Sequence, residues 1–226
     1  MAALTALLPV VLANNQTTSS IATNSQSTTA ENNAPSSFIE FNGSDQYMMI
    51  PHHADFNITT TESFTVSCWV KRNVLEADTR FVVKRVKNNA TIKSGYELWG
   101  NGISSQFFAV NSPNNTGDHN NSVSVYSNIP GYAGEWHHIA FVIDRTAGIM
   151  YEYHNGTAVA NSGIKPIAPW ECTNTYDVLV GAGFSEEDTP NYFLNGAIGG
   201  LHFYKRALSA CLLYTSPSPR DKRQSR

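Results

Sequence analysis

The chain has 226 residues, 41% hydrophobic and 15% charged, with a formal net charge of −3. That length suits one domain with a sizeable core, and the low charge leaves a surface carried by Asn, Ser and Thr. The absence of a basic cluster inside the domain argues against nucleic acid as a partner, and no apolar run reaches the ~20 residues of a membrane span.

In chain order, residues 1–37 read as a flexible polar linker. Ala2–Ala13 is apolar with no Lys or Arg ahead of it, a poor secretory signal. Asn14–Ser37 is dominated by Asn, Gln, Ser and Thr with one charge, Glu31, and buries too little apolar surface to order itself. Within this segment Leu8–Gln16, L-P-V-V-L-A-N-N-Q, resembles a phrase near the starts of tailed-phage virion proteins.

Eleven short strands follow, separated by Asn/Gly/Ser/Pro loops: 38–41, 47–51, 64–71, 81–86, 96–99, 106–110, 123–126, 136–144, 149–153, 178–181 and 201–204. The pattern suits a double sheet and shows no convincing helix. In 64–71 apolar side chains fall on both parities, which means a central strand covered twice or a bulged one. Cys68 alternates with Phe64, Val66 and Val70 and reads as a small buried apolar residue; with Cys172 it defines no disulfide framework.

The most legible stretch is Trp136–Asp144, W-H-H-I-A-F-V-I-D, followed by a turn, Ile149–Tyr153 and His154-Asn155-Gly156. Strand, turn, strand and Asn-Gly predict the central hairpin of a β-sandwich, with Trp136 buried between the sheets. Residues 211–226 are set aside. Cys211–Asp221 resembles a translated sequencing adapter, interrupts Arg206-Ala207-Leu208-Ser209-Ala210, and reads as a non-native tail. The folded domain is therefore expected over 38–210.

Four blocks in order resemble the laminin-G-like members of the concanavalin A-like lectin/glucanase superfamily. They are Phe41-Asn42-Gly43 with Tyr47–Pro51, the strand Phe64–Lys71, W-H-H-I-A-F-V-I-D with Y-E-Y-H-N-G, and Phe193–Ile198 with Phe203–Ser209. The resemblance implies an all-β fold, a two-sheet antiparallel jelly-roll sandwich. It says less about ligand, because the fold hosts many functions.

Catalysis fails a first test. Jelly-roll glucanases aim carboxylates into one cleft from alternate positions of a strand. Here Glu76-Ala77-Asp78 begins such a motif, but Arg80 and Phe81 stand where the second Glu belongs. His137 and His138, adjacent in a strand, point to opposite faces and cannot chelate one ion; one half-buried and one surface imidazole are expected. His52-His53 reads as solvated loop.

The resemblance makes calcium the more reasonable ion, held by loop oxygens. Candidate loops are Glu76 to Asp78 and Glu186-Glu187-Asp188, with a solvated acidic loop as the plainer reading. Gly199-Gly200 stands where relatives show an acidic residue. A sugar site needs an aromatic platform beside amides or hydroxyls; Tyr96, Trp99, Tyr126, Tyr132 and Trp170 are candidates, with Asn114 in the Asn111–Asn121 loop. Each ring has a competing reading as core. The expected function is a non-catalytic recognition module for a glycan or host surface receptor, on a phage virion or otherwise extracellular. A bacterial adhesin, a ligand-free virion decoration protein and a glycoside hydrolase are the rivals.

Overall fold

Period-two burial organises the chain into two six-stranded antiparallel sheets and a small two-stranded hairpin. The structure is a computed structural model that describes residues 35, 37–75, 78–85, 93–112, 122–128, 133–163, 172–184 and 189–214. In order the elements are β1 (Phe38–Asn42), β2 (Met48–Ile50), a 3-10 turn (Ala54–Phe56), β3 (Phe64–Arg72), β4 (Thr79–Arg85), β5 (Lys93–Asn101), β6 (Ser104–Ser112) and β7 (Ser122–Asn128). There follow β8 (Trp136–Asp144), β9 (Ile149–His154), β10 (Thr157–Gly163), β11 (Val178–Val180), β12 (Gly183–Phe184), β13 (Pro190–Asn191), β14 (Asn195–Tyr204) and the helix α1 (Ala210–Tyr214). One sheet runs β1-β14-β3-β8-β9-β10, the other β2-β11-β4-β5-β6-β7. This is the expected two-sheet antiparallel sandwich.

The core lies between the sheets. Val66, Cys68 and Val70 of β3, Ile139, Phe141 and Ile143 of β8, and Tyr96 and Leu98 of β5 are all buried in one apolar cluster. Cys68 and Cys172 are buried and not joined in a disulfide, and burial pushes the Cys68 thiol up to about 12, which keeps it protonated and inert. Strand β3 sits between β14 and β8. It is covered on its second face too, since Thr65 and Ser67 are as buried as Val66. The two-sided apolar pattern of 64–71 therefore means a central strand.

The end boundaries shift. Phe38 opens β1 as expected, yet Pro35 is already buried. A side chain at Gly199 would stand 2.6 Å from Pro35 Cγ and 2.6 Å from the Ser37 carbonyl, so the bare glycine lets the incoming chain cross β14. At the other end the expected boundary at 210 falls inside α1. Leu213, from the segment set aside as a tail, is 2% exposed and packs with Ala140, Val142, Tyr153 and Leu208 on the outer face of the first sheet. The helix forms because that face offers an apolar seat.

Two further expectations are corrected. Trp136 is half-buried, with its ring 5.2 Å from Phe38; it closes the end of β8 and does not fill the centre. His137 and His138 do face opposite ways, but both are buried. His138 packs against Trp69 under the outer covering, which the sequence alone does not reveal.

Candidate functional site

Strand β5 separates two environments by alternation. Tyr96 and Leu98 point into the core, so Glu97 and Trp99 belong to the opposite, outer face of their sheet. Tyr96 is fully buried and its hydroxyl donates to the Phe56 carbonyl at 2.8 Å. As a ligand platform it is excluded: the ring is core, and its phenol is satisfied there.

Trp99 and Tyr126 are brought together. Pairing places Arg80 of β4 opposite Trp99, Trp99 opposite Gln106 of β6, and Gln106 opposite Tyr126 of β7. One row therefore crosses four strands. Tyr126 is 65% exposed, while its neighbours Val125 and Ser127 turn inward. Two residues along the same face runs a second row, Asn101, Ser104 and Asn128, with Asn101 and Asn128 exposed. An aromatic row beside an amide and hydroxyl row is the pairing a sugar requires: apolar ring faces stack on aromatics, and hydroxyls exchange hydrogen bonds with amides.

Arg80 holds this arrangement. Its guanidinium lies 4.8 Å from the Trp99 ring centroid and 4.5 Å from that of Tyr192, a cation between two π faces. Nε donates to Glu97 Oε2 at 3.2 Å, and Arg85 Nη1 donates to Glu97 Oε1 at 2.9 Å. Asp78 Oδ1 lies 3.9 Å from Arg80 Nη1. Tyr192 has φ 56, in the left-handed region that disfavours side chains. It is fixed there by Arg80 N–H donating to its carbonyl at 3.1 Å and by the Asn191 side chain accepting from its N–H at 2.8 Å. Two buried donors at this spot, Trp99 Nε1 and Arg80 Nη1, have no hydrogen-bond acceptor among the described residues.

Sequence reasoning missed Arg80, Tyr192, Asn101 and Asn128. Arg80 entered only as the residue that spoiled a carboxylate motif, and pairing partners across strands carry no local signal. Of the remaining sugar candidates, Asn114, Tyr132 and Trp170 lie outside the described residues. So do Glu76, Glu186, Glu187 and Asp188 among the calcium candidates. Asp78 is exposed and accepts from Asn101 Nδ2 at 3.5 Å. Among the described residues no group of three His, Cys, Asp or Glu side chains could hold a metal ion.

The strongly perturbed groups lie elsewhere, inside the sandwich. Glu152 of β9 is fully buried and accepts from the Ser105 hydroxyl. Burial pushes its carboxyl up to about 7, against the smaller opposing pull of hydrogen bonds from Ser105 and Ser127. His137 Nδ1 and His154 Nε2 meet at 2.6 Å, so one ring donates and the other accepts. Burial, then the neighbouring His137, lowers His154 to about 4. Lys84 is fully buried, its ammonium donating to the Tyr176 carbonyl at 2.7 Å and Asn174 Oδ1 at 3.0 Å, with His52 Nδ1 at 3.1 Å. Burial lowers Lys84 to about 8. These contacts tie β4 to the loops at 52 and 174–176, so His52 is part of a structural clip and not solvated loop.

Comparison with known proteins agrees with this architecture. A laminin-G family model, described as the concanavalin A-like lectin/glucanases superfamily, matches residues 42–211. No curated protein matches the chain. Among solved structures, the botulinum neurotoxin serotype G binding domain superposes with a TM-score of 0.64 at 13% identity, over 93% of this chain and 46% of that one. The binding domain of Paraclostridial Mosquitocidal Protein 1 gives 0.61 at 14% identity, over 91% and 46%. The botulinum neurotoxin serotype D ligand binding domain in complex with N-acetylneuraminic acid gives 0.58 at 15% identity, over 82% and 42%. At such identities the likeness is one of fold, and the chain spans less than half of each of those structures.

Proposed function

The chain belongs to the concanavalin A-like lectin/glucanase superfamily through a laminin-G-like domain, and from that membership we propose that it is a non-catalytic recognition module that binds glycan through the outer face of β4–β7. The observation that carries the reading is the pair of rows on that face. Trp99 and Tyr126 share a register row, and Asn101, Ser104 and Asn128 run beside them. Solved neighbours of the same fold are toxin receptor-binding or ligand-binding domains, one holding a sialic acid. That supports a cell-surface target without naming it.

The same geometry speaks against hydrolysis. Retaining and inverting glycosidases both need two carboxyls flanking the bond, one of them kept protonated. On this face both Glu97 oxygens are bound by arginines. Glu152, whose carboxyl is raised, lies inside the sandwich out of reach of a polysaccharide. The setting we propose is the surface of a phage particle, supported by the Leu8–Gln16 phrase and the polar segment that follows it.

A glycan array probed with the whole chain and with Tyr126→Ala tests the reading. Binding by the parent that Tyr126→Ala weakens supports it. A silent array overturns it, and release of reducing sugar from any bound glycan would make the protein an enzyme.

A further inference from the structure

We infer that the face recognises an extended, uncharged oligosaccharide laid across the strands, one sugar ring against Trp99 and the ring after next against Tyr126. The inference rests on the glycan reading above and adds to it chain length, direction and charge class.

Direction follows from register. Trp99, Gln106 and Tyr126 are successive cross-strand partners, so the line joining the two aromatic residues is perpendicular to the strands. Two inter-strand spacings separate them, about 10 Å. Two pyranose rings in an extended beta-linked chain cover about that length, and alternate rings turn the same face to the same side. A ring over Trp99 therefore brings the ring after next over Tyr126, with the middle ring above the position of Gln106. A single sugar reaches only one of the two.

The second row fits the same direction. Asn101, Ser104 and Asn128 run parallel to the aromatic row, about 7 Å away along the strands. They lie along one edge of the bound chain, where its hydroxyls project. Along the opposite edge lies Glu97 with its two arginines.

Charge class follows from that pairing. The cations of this face, Arg80 and Arg85, already share one carboxylate, and Asp78 lies beside Arg80. A sugar carboxylate placed over the Trp99 row meets Glu97 and Asp78, and the two arginines beside it are already engaged by those carboxylates. A hydroxyl or ring oxygen meets no such repulsion. Arg80 acts as a positioning residue: its planar guanidinium, stacked between Trp99 and Tyr192, sets the tilt of the indole.

The test is titration calorimetry of the full chain with homologous series of beta-linked glucose and N-acetylglucosamine oligomers, from the single sugar to the hexamer. One sialylated and one uronate oligomer are run beside them. Affinity is expected to rise about tenfold or more between the single sugar and the trimer, the gain of a second stacked ring, and then to level off. Tyr126→Ala should flatten that rise, so that the trimer binds no more tightly than the single sugar. Tyr126 is exposed, so its loss leaves the fold intact, which circular dichroism checks. Arg80→Lys should weaken every length by a similar factor without changing the melting temperature by more than a few degrees. Affinity that is already complete with one ring overturns the inference while the glycan reading stands. Preference for the acidic oligomers overturns its charge class. Failure of every neutral series overturns the inference, and a silent array as well overturns the glycan reading with it.

Discussion

Glu152 gives the structure its most quantitative test, because a buried carboxyl writes itself into stability as a function of pH. In the folded chain it is fully buried on β9, one oxygen held by the Ser105 hydroxyl. Burial raises its pKa from 4.5 to about 7. Between those values the folded state keeps a proton that the unfolded state releases, so stability falls as pH rises through the window and the full penalty is present above it. That displacement corresponds to about 3 kcal/mol. Glu152→Gln keeps the shape and an acceptor for the Ser105 hydroxyl but cannot ionise. Urea unfolding of both proteins is compared at intervals from pH 5 to pH 8. The variant is expected to gain about 2.5 kcal/mol on the parent from pH 5 to pH 8, accruing at about 1.4 kcal/mol per pH unit and levelling off near pH 7. His138 and His154, each lowered to about 4 by burial, act in the opposite sense. They favour folding increasingly as pH rises from about 4 towards 6.5, and they are common to both proteins, so the difference removes them. A difference between parent and variant that does not change with pH would refute the placement of Glu152.

Further outcomes can be checked with the same instruments. Leu213→Ala should cost roughly 2 kcal/mol or more in urea unfolding, as for a leucine seated on a packed face; no change would return residues from 211 onward to the status of a tail. Phe141→Ala, in the centre of the core, should cost about 3–5 kcal/mol, and Trp136→Ala, half-buried at the end of β8, clearly less. Equal losses would contradict the register of that strand. Gly95→Ala should separate β4 from β5, because a Cβ there would stand 2.1 Å from the Lys84 carbonyl and φ is +141; an unchanged melting temperature would refute that contact. If the Glu186–Asp188 loop binds calcium, millimolar CaCl₂ raises the melting temperature where NaCl of matched ionic strength does not, and Glu187→Gln with Asp188→Asn abolishes the rise. Equal melts in the two salts end the calcium reading.

How much was legible depended on whether the signal was local. Trp136–Asp144 was read to the residue, because alternation, β-branching and flanking turns all lie within the strand. Strand β10, Thr157–Gly163, went unread: T-A-V-A-N-S-G has little apolar alternation, and it is an edge strand that forms by pairing with β9. His137 shares parity with Ile139 and Phe141, so its inward direction was in the sequence. The burial of His138 was not, because it depends on Trp69 and on what covers the outer face. Tyr96 and Trp99 looked alike as sugar platforms, three residues apart on one strand. They part company only because odd and even positions of β5 face different surroundings. The row Arg80–Trp99–Gln106–Tyr126 joins three separate loops' worth of chain, and only the register assembles it.

Ligand is proposed to meet the outer face of β4–β7. Amide hydrogen exchange of the full chain, with and without the strongest-binding oligosaccharide, tests it directly. Added protection is expected in β5–β7 and at Tyr192, with β8–β10 and α1 unchanged. Protection on the outer face of β8–β10, or none in β5–β7 at saturating ligand, would contradict it.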